Sequence, residues 1–387
     1  MSNITKHLWD KAGRERIPLT GSFELLPACN LSCKMCYVRK SWKEVEAEGG
    51  LLPAEFWLQL ADEAMKEGLL YPLLTGGEPF LREDFQEILD GLLKRGLQVS
   101  INTNGTLIDE KMARWLNEHR PLRLNLTLYG ASAESYQKLC GNGAAFEKVQ
   151  KAVQYLKKYN LPVKFNTSIT KYNVNDLEAM MSYAKSVKSP IEVAAYMFPP
   201  VRRDASMIGE NDRLSPEEAG YIKVRSDYLQ KDADWFLAQV KRYQYFQPLT
   251  EQIIKEAERG EGKEISCRAG RCAFWVDWKG NMANCGMYAA TGVDMKKIGF
   301  QQAWKEIVEK TNRVIYSPVC SNCPNHWLCH ACIAMVFNES GSQNGRPEYI
   351  CQMTEAAAGF YKLYAELLEK GKDPLQYTME DLQKGVR

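Results

Sequence analysis

CNLSCKMCY, residues 29–37, sets Cys29, Cys33 and Cys36 three and then two residues apart. The next cysteine along the chain is Cys140. A four-iron, four-sulfur cluster takes one thiolate per iron. Three clustered thiolates without a near fourth leave one iron open to an outside ligand, which suits chemistry better than simple electron carriage. Closely spaced cysteines also bind zinc, so this stretch alone leaves a zinc site as the alternative.

Outward from it, a strand-then-helix rhythm runs from Gly21 to Met197. Short apolar runs read as strands at 23–28, 71–75, 98–102, 122–128, 163–169 and 191–197. Between them, 53–68, 83–96, 109–119, 144–159 and 174–187 carry the 3.6-residue period of helices. This alternation implies parallel strands joined by right-handed crossovers. Six units predict an α/β fold, a partial (β/α)6 TIM-type barrel, with a doubly wound sheet as the alternative. In barrels the active site lies at the C-terminal ends of the strands. The cysteine loop follows the first strand, TGGEPF (75–80) the second, NTNGT (102–106) the third and LYGAS (128–132) the fourth.

The rhythm stops at Phe198. Residues 202–213 read as a loop, and 215–230 opens as a helix with Ser215, Pro216 and Glu218 in capping positions. A second helix is expected over 233–259, with an aromatic stripe (Trp235, Phe236, Tyr243, Tyr245, Phe246) read as core before binding face. This segment is the candidate for closing the open side of the barrel and touching substrate. Eight cysteines then fall between 267 and 351. FWVDWKGNM reads as a hairpin turning at Lys279-Gly280. Eight cysteines fit two sites of four. Two zinc ribbons are the alternative, although five residues between the C-x2-C pairs make a short ribbon loop.

The 387 residues suit two or three domains: an N-terminal extension (1–20), the barrel (21–197), a helical bridging segment (198–266), a Cys-rich domain (267–351) and a C-terminal helix and tail (352–387). With 50 basic and 48 acidic residues and no basic stripe, no nucleic-acid partner is expected. No apolar run reaches the ~18 residues of a membrane span, and the N-terminus lacks a signal-peptide core. The expectation is a cytoplasmic protein without a membrane partner, where twelve cysteines mean metal or catalysis. Cys140 reads as a small buried residue, with a hydrogen-atom donor as the alternative.

CNLSCKMCY resembles the signature of the radical S-adenosylmethionine (SAM) superfamily, and GGEP (76–79) resembles its SAM-binding motif. The C-terminal cysteine pattern resembles the SPASM domain, with two residues between Cys329 and Cys332 where the family usually has three. The resemblance covers roughly Phe23 to Cys351. It implies an oxidoreductase whose cluster, on Cys29, Cys33 and Cys36, binds SAM and cleaves it reductively to a 5′-deoxyadenosyl radical that abstracts a substrate hydrogen atom. It further implies that the backbone at Tyr37 meets the adenine and that Gly76, Gly77 and Pro79 let the chain approach the methionine moiety. Glu78 would accept from the SAM ammonium, Asn104 and Thr127 would bond ribose or carboxylate, and Tyr196 would line the adenine pocket.

By the same resemblance two auxiliary [4Fe-4S] clusters would sit on Cys267, Cys272, Cys285 and Cys332, and on Cys320, Cys323, Cys329 and Cys351. Fully ligated, they would relay electrons. A peptide substrate, made by the ribosome and given a thioether, carbon–carbon crosslink or related oxidation, is the leading expectation. A small-molecule dehydrogenase or cofactor-maturation enzyme is the alternative, and a non-enzymatic iron–sulfur or zinc protein is the third. Sulfatase-maturing relatives carry an aspartate base where Gly286 stands, which leaves Asp277, Asp294 and Tyr288 as base candidates with none singled out. With 28 residues before Cys29, no leader-binding domain is expected. A peptide would then need a separate leader-binding protein or direct recognition by the barrel and the 198–266 segment. A flavodoxin or ferredoxin would be the reducing partner.

Overall fold

In the computed structural model, which describes residues 3–264, 267–288 and 291–384, six parallel strands follow the expected order. They are β1 (Thr20–Glu24), β2 (Tyr71–Thr75), β3 (Ser100–Thr103), β4 (Arg123–Thr127), β5 (Val163–Ser168) and β6 (Ile191–Ala194). The C-terminal segment adds β7 (Ala273–Val276), β8 (Asn281–Ala283) and β9 (Val293–Asp294). The sheet order is β6-β5-β4-β3-β2-β1-β7-β8-β9, so the barrel stays open. β7 pairs in parallel with β1, Ser22 opposite Trp275, and β8 and β9 return antiparallel. The expected hairpin is therefore a continuation of the barrel sheet, and the α/β partial-barrel class holds.

Alternation along the strands divides the sheet into two chemically different faces. Phe23, Leu74, Ile101, Leu124, Leu126 and Phe165 are fully buried and pack with helix residues such as Trp57, Ile88 and Val153. The register puts Ser22, Glu24, Asn102, Asn125, Thr127 and Asn166 on the opposite, inner face. A packed barrel would fill that space with branched apolar side chains. Here it is polar and, toward β6, open, since Glu192 and Ala194 are exposed. A polar, partly open interior suits a ligand.

The helices fall close to their expected bounds: Ala54–Lys66, Phe85–Lys94, Glu110–Glu118, Ala145–Lys158 and Leu177–Ser186. Pro216–Gln230 has the full capping box, Ser215 accepting from Glu218 N and Glu218 from Ser215 N. The single helix expected over 233–259 is two, Ala233–Tyr243 and Glu251–Glu258, because Pro248 interrupts it and Thr250 caps the second. Of the aromatic stripe, Phe236 and Tyr243 are buried against Tyr361 of the long helix Glu348–Glu369, whereas Tyr245 is exposed. That helix contains Cys351, so the boundary expected at 351/352 falls inside it. Among the described residues before Met197, three α-helices were not expected: Asn3–Glu15, Trp42–Ala47 and Ala133–Cys140.

Candidate active site

The cysteine loop leaves the top of β1 and is fastened on both sides. Gly77 N donates to Leu26 O at 2.7 Å and Glu78 N to Ala28 O at 3.0 Å. A Cβ at Gly76 would stand 2.2 Å from Leu26 O, and one at Gly77 2.1 Å from Ala28 O. The two glycines are thus required by the contact between this loop and the cysteine loop, where the sequence had suggested room for a ligand. On the other side Ser32 N donates to Cys140 O (2.9 Å) and Lys34 N to Leu139 O (3.1 Å). The helix Ala133–Cys140 ends there, with Gly141 in the left-handed region. Cys140 is buried. Contact with the Cys140 thiol, and then with the Tyr129 hydroxyl, draws the Cys33 pKa down against burial.

Backbone amides point at the other two sulfurs: Leu31 N to Cys29 Sγ at 3.4 Å and Arg39 N to Cys36 Sγ at 3.3 Å. Asn104 Nδ2 reaches Asn30 Oδ1 (2.9 Å) and Cys29 Sγ (3.7 Å), while its Oδ1 accepts from Thr106. Asn104 is thereby built into the cysteine loop. Burial pushes the Cys29 thiol up to about 12.

Glu78 is fully buried beside this loop. Its Oε1 accepts from Thr103 Oγ1 (2.7 Å) and Phe80 N (3.3 Å), and its Oε2 from Asn104 N (2.7 Å). Burial raises its pKa to about 7 against these three hydrogen bonds. No cation pairs with it among the described residues, and Oε2 retains acceptor capacity. Pro79 is buried in the short turn Pro79–Leu81 that Glu78 caps. Thr127 lies on the inner face opposite Asn166. Asn125, which the sequence did not single out, donates to Asn102 Oδ1 (2.8 Å), and its own buried Oδ1 has no partner among the described residues. A buried carboxylate facing only neutral donors at the strand ends, with an orphaned amide oxygen on the inner face of the sheet, fits a ligand carrying an ammonium and hydroxyl groups.

Two expected residues sit in other company. Tyr196 lies beyond β6, donates to Glu339 Oε1 at 2.7 Å and packs on Phe198 and Tyr349. It belongs to a buried cluster in which Arg213 pairs with Glu339 at 2.6 and 2.9 Å. Tyr37 has the Arg202 guanidinium 5.7 Å from its ring, and burial followed by Glu24 raises its pKa. Arg202 itself pairs with Glu24 and donates to Gly286 O at 3.1 Å, while Trp275 Nε1 donates to Glu24 at 2.9 Å. This group joins the cysteine loop to the residue after Cys285. Its signal in the sequence was a glutamate inside the apolar run FELLPA.

Gly286 is explained by the same group: a Cβ there would meet the Trp275 ring at 2.7 Å. The other base candidates are engaged. Asp277 takes the turn amides of Lys279 and Asn281, Asp294 pairs with Lys297, and Tyr288 donates to Gln343.

The eight distal cysteines gather in two groups. Cys320, Cys323, Cys329 and Cys351 line one small space walled by Ile253 and Ile350. Cys332 lies near Cys285 and Cys267, whose charges raise its pKa after burial, and Cys267 does the same to Cys272. Tyr316 stands between the groups, within reach of Cys332, Cys267, Cys320 and Cys329. No three Cys, His, Asp or Glu side chains converge on a single-ion position among the described residues.

Residues 23–184 match the family model of the radical SAM superfamily. The AdoMet-dependent heme synthase of Methanosarcina barkeri is 25% identical over 337 residues, 83% of this chain and 92% of that one. The PqqA peptide cyclase of Granulibacter bethesdensis is 30% identical over 164 residues, 42% of this chain and 43% of that one. Among solved structures, Streptococcus suis SuiB with its precursor peptide SuiA superimposes at TM-score 0.64 (16% identity; 90% of this chain, 80% of that one). anSMEcpe with bound AdoMet also gives 0.64 (18% identity; 95% and 97%). Residues 23–184 thus carry a radical SAM superfamily domain, and the fold of the chain, with its Cys-rich C-terminus, is similar to that of SuiB and anSMEcpe.

Proposed function

We propose that this enzyme binds SAM beside a [4Fe-4S] cluster on Cys29, Cys33 and Cys36, and that it oxidises a ribosomally made peptide lying along the polar inner face of the sheet. Glu78 carries the reading: it is a buried carboxylate with no cation beside it among the described residues, at the strand end beside the loop of three thiols. Bound there, SAM and the cluster supply the radical that takes a hydrogen atom from the substrate. The chain's own residues bind, orient and exclude water.

Glu78 holds the ammonium, and the orphaned Asn125 oxygen accepts from a ligand hydroxyl. The Leu31 and Arg39 amides favour the thiolate forms of Cys29 and Cys36. The buried Glu24–Arg202 pair keeps water out between the cysteine loop and Cys285. Each distal group of four would hold an auxiliary [4Fe-4S] cluster. Thiols spread around a cavity suit one thiolate per iron better than a single zinc ion.

The peptide reading is supported by the fold shared with SuiB and anSMEcpe, both solved with peptides bound. It implies a separate leader-binding protein or direct capture, and a flavodoxin or ferredoxin as reductant. A second reading, a tetrapyrrole or other cofactor precursor as substrate, is favoured by the heme synthases, which align over more than four fifths of both chains. Anaerobic reconstitution followed by SAM and dithionite should yield 5′-deoxyadenosine and about twelve irons per chain. Zinc in place of iron, with no 5′-deoxyadenosine, would sink the proposal. A candidate peptide lighter by two hydrogens after turnover supports the first substrate. Turnover of a porphyrin with peptides left untouched supports the second.

A further inference from the structure

The second cysteine group is most exposed at Cys267, and that point is ringed by arginine. Cys267 is exposed, while Cys272 is buried just ahead of β7, its carbonyl accepting from Thr20 N at 3.1 Å. Thr20 begins β1, whereas Cys29 follows its end. Cys267 and Cys272 therefore lie at the opposite end of the sheet from the SAM loop. A cleft of about 860 Å³ opens there between the helix Asn3–Glu15 and residues 267–272, lined by Trp9, Asp10, Arg14, Arg16, Arg268 and Arg271 together with both cysteines.

The charge of this cleft is largely uncompensated. Arg14 and Arg268 are exposed, and Arg268 rests on the Trp9 ring 4.1 Å from its centroid. Arg271 approaches Glu264 at 3.6 Å. Arg16 spends Nη2 on Asn312 (2.7 Å), and its buried Nη1 has no partner among the described residues. Burial, and after it the neighbouring Arg271, lower the Arg16 pKa, and Glu264 opposes them only in part. Among the described residues, Asp10 is the one carboxylate lining the cleft. The chain as a whole carries only +2, so this is a local concentration of charge.

We propose that the cleft is the docking surface of an acidic one-electron carrier protein, which exchanges an electron with a metal centre held by Cys267, Cys272, Cys285 and Cys332. The inference rests on the reading of those four residues as cluster ligands. One electron passes between carrier and centre; no bond forms or breaks at the surface, and no proton moves. The arginines steer an acidic face onto Cys267, the most exposed of the four ligands, which shortens the electron's path. Steering of this kind raises association rates and is lost with salt. The same cysteine group extends inward to Cys285, whose neighbour Gly286 touches Arg202 on the inner face of the sheet. A carrier docked here exchanges electrons from outside without obstructing the substrate's entry.

The test uses the reconstituted enzyme with an acidic flavodoxin as probe, read by interferometry for affinity and by stopped flow for the second-order rate of electron exchange, each over a range of ionic strength. Arg14→Glu together with Arg268→Glu should lower the rate about tenfold at low salt and flatten its salt dependence. Lys151→Glu, on an outer helix, should leave both unchanged. Arg14→Glu alone, at an exposed helical position, should show the same trend in smaller measure, with 5′-deoxyadenosine formation from dithionite unaltered. Affinity and salt dependence that ignore both arginine variants overturn the docking surface. Iron content indifferent to Cys272→Ser would instead overturn the cluster reading beneath it, so the two failures are separable.

Discussion

Glu24 and Arg202 meet in a two-pronged ion pair, at 2.9 and 3.0 Å, across 178 residues of chain. The carboxylate is fully buried, so the pair fixes the segment leaving β6 over the top of β1. Arg202→Met leaves that carboxylate buried without a counter-charge, with the Trp275 N–H as its remaining partner, at a cost of about 3–5 kcal/mol. Burial raises the Glu24 pKa and Arg202 opposes the rise. Without the arginine the folded state holds its proton to higher pH than the unfolded state does. Stability of the variant should fall more steeply than wild type as pH rises above the ordinary carboxylate range. Denaturant midpoints at pH 5.5 and pH 8 read this directly, and Glu24→Gln in the same chain should restore most of the loss. Equal pH slopes in the variant and the wild type would contradict the account.

Glu78 yields a sharper pH signature. Its folded pKa of about 7 lies above the ordinary carboxylate value of 4.5. The fold therefore binds the extra proton, and the apoprotein loses stability as pH rises between the two values, up to about 3 kcal/mol in all. Above pH 7 the loss is complete. Glu78→Gln should raise the apoprotein melting temperature at pH 8 while removing SAM binding by calorimetry. A Gln variant that binds SAM as tightly as wild type would remove Glu78 from the site.

At Gly286 the argument is one of space. Gly286→Ala drives a methyl group into Trp275 at 2.7 Å and should cost about 1–3 kcal/mol, with iron lost from the group containing Cys285. Trp275→Ala should partly rescue the iron content of Gly286→Ala. If Gly286→Ala retains all its iron and its wild-type midpoint, the ring is not the obstacle.

The grouping of the distal cysteines can be read by counting metal. Cys351→Ala and Cys332→Ala should each remove about four of about twelve irons. Cys320→Ala added to Cys351→Ala should remove no more, whereas Cys332→Ala added to Cys351→Ala should remove about eight. Losses that add within a group, or fail to add across groups, would break the assignment.

Much of this was legible in the chain because local chemistry wrote it. β2 has its expected bounds, with Gly68 ahead of the apolar run and Gly76 directly after it. β1 does not: Leu25 and Leu26 are apolar because they are buried in the loop that descends from the strand, not because they belong to it. The helix ending at Cys140 is only eight residues long, too short for periodicity to declare. The cysteine spacings and GGEP announced themselves, but the reason for the glycines did not, because it lies in the backbone of another loop. Nor did Arg202, whose partner is far away in sequence. The pairing of β7 with β1 is equally non-local, and no pattern in either strand records it.

That last pairing has a consequence during synthesis. β1 is among the first strands to leave the ribosome, and its outer edge has no partner until Val276 follows. Through the translation of some 250 residues the nascent barrel presents an open row of amides and carbonyls, the arrangement most prone to joining another chain. Only when the segment carrying the distal cysteines arrives is that edge sealed. The part of the molecule that would carry electrons is thus also the part that lets the barrel finish folding, and truncation before it should yield aggregate in place of a smaller enzyme.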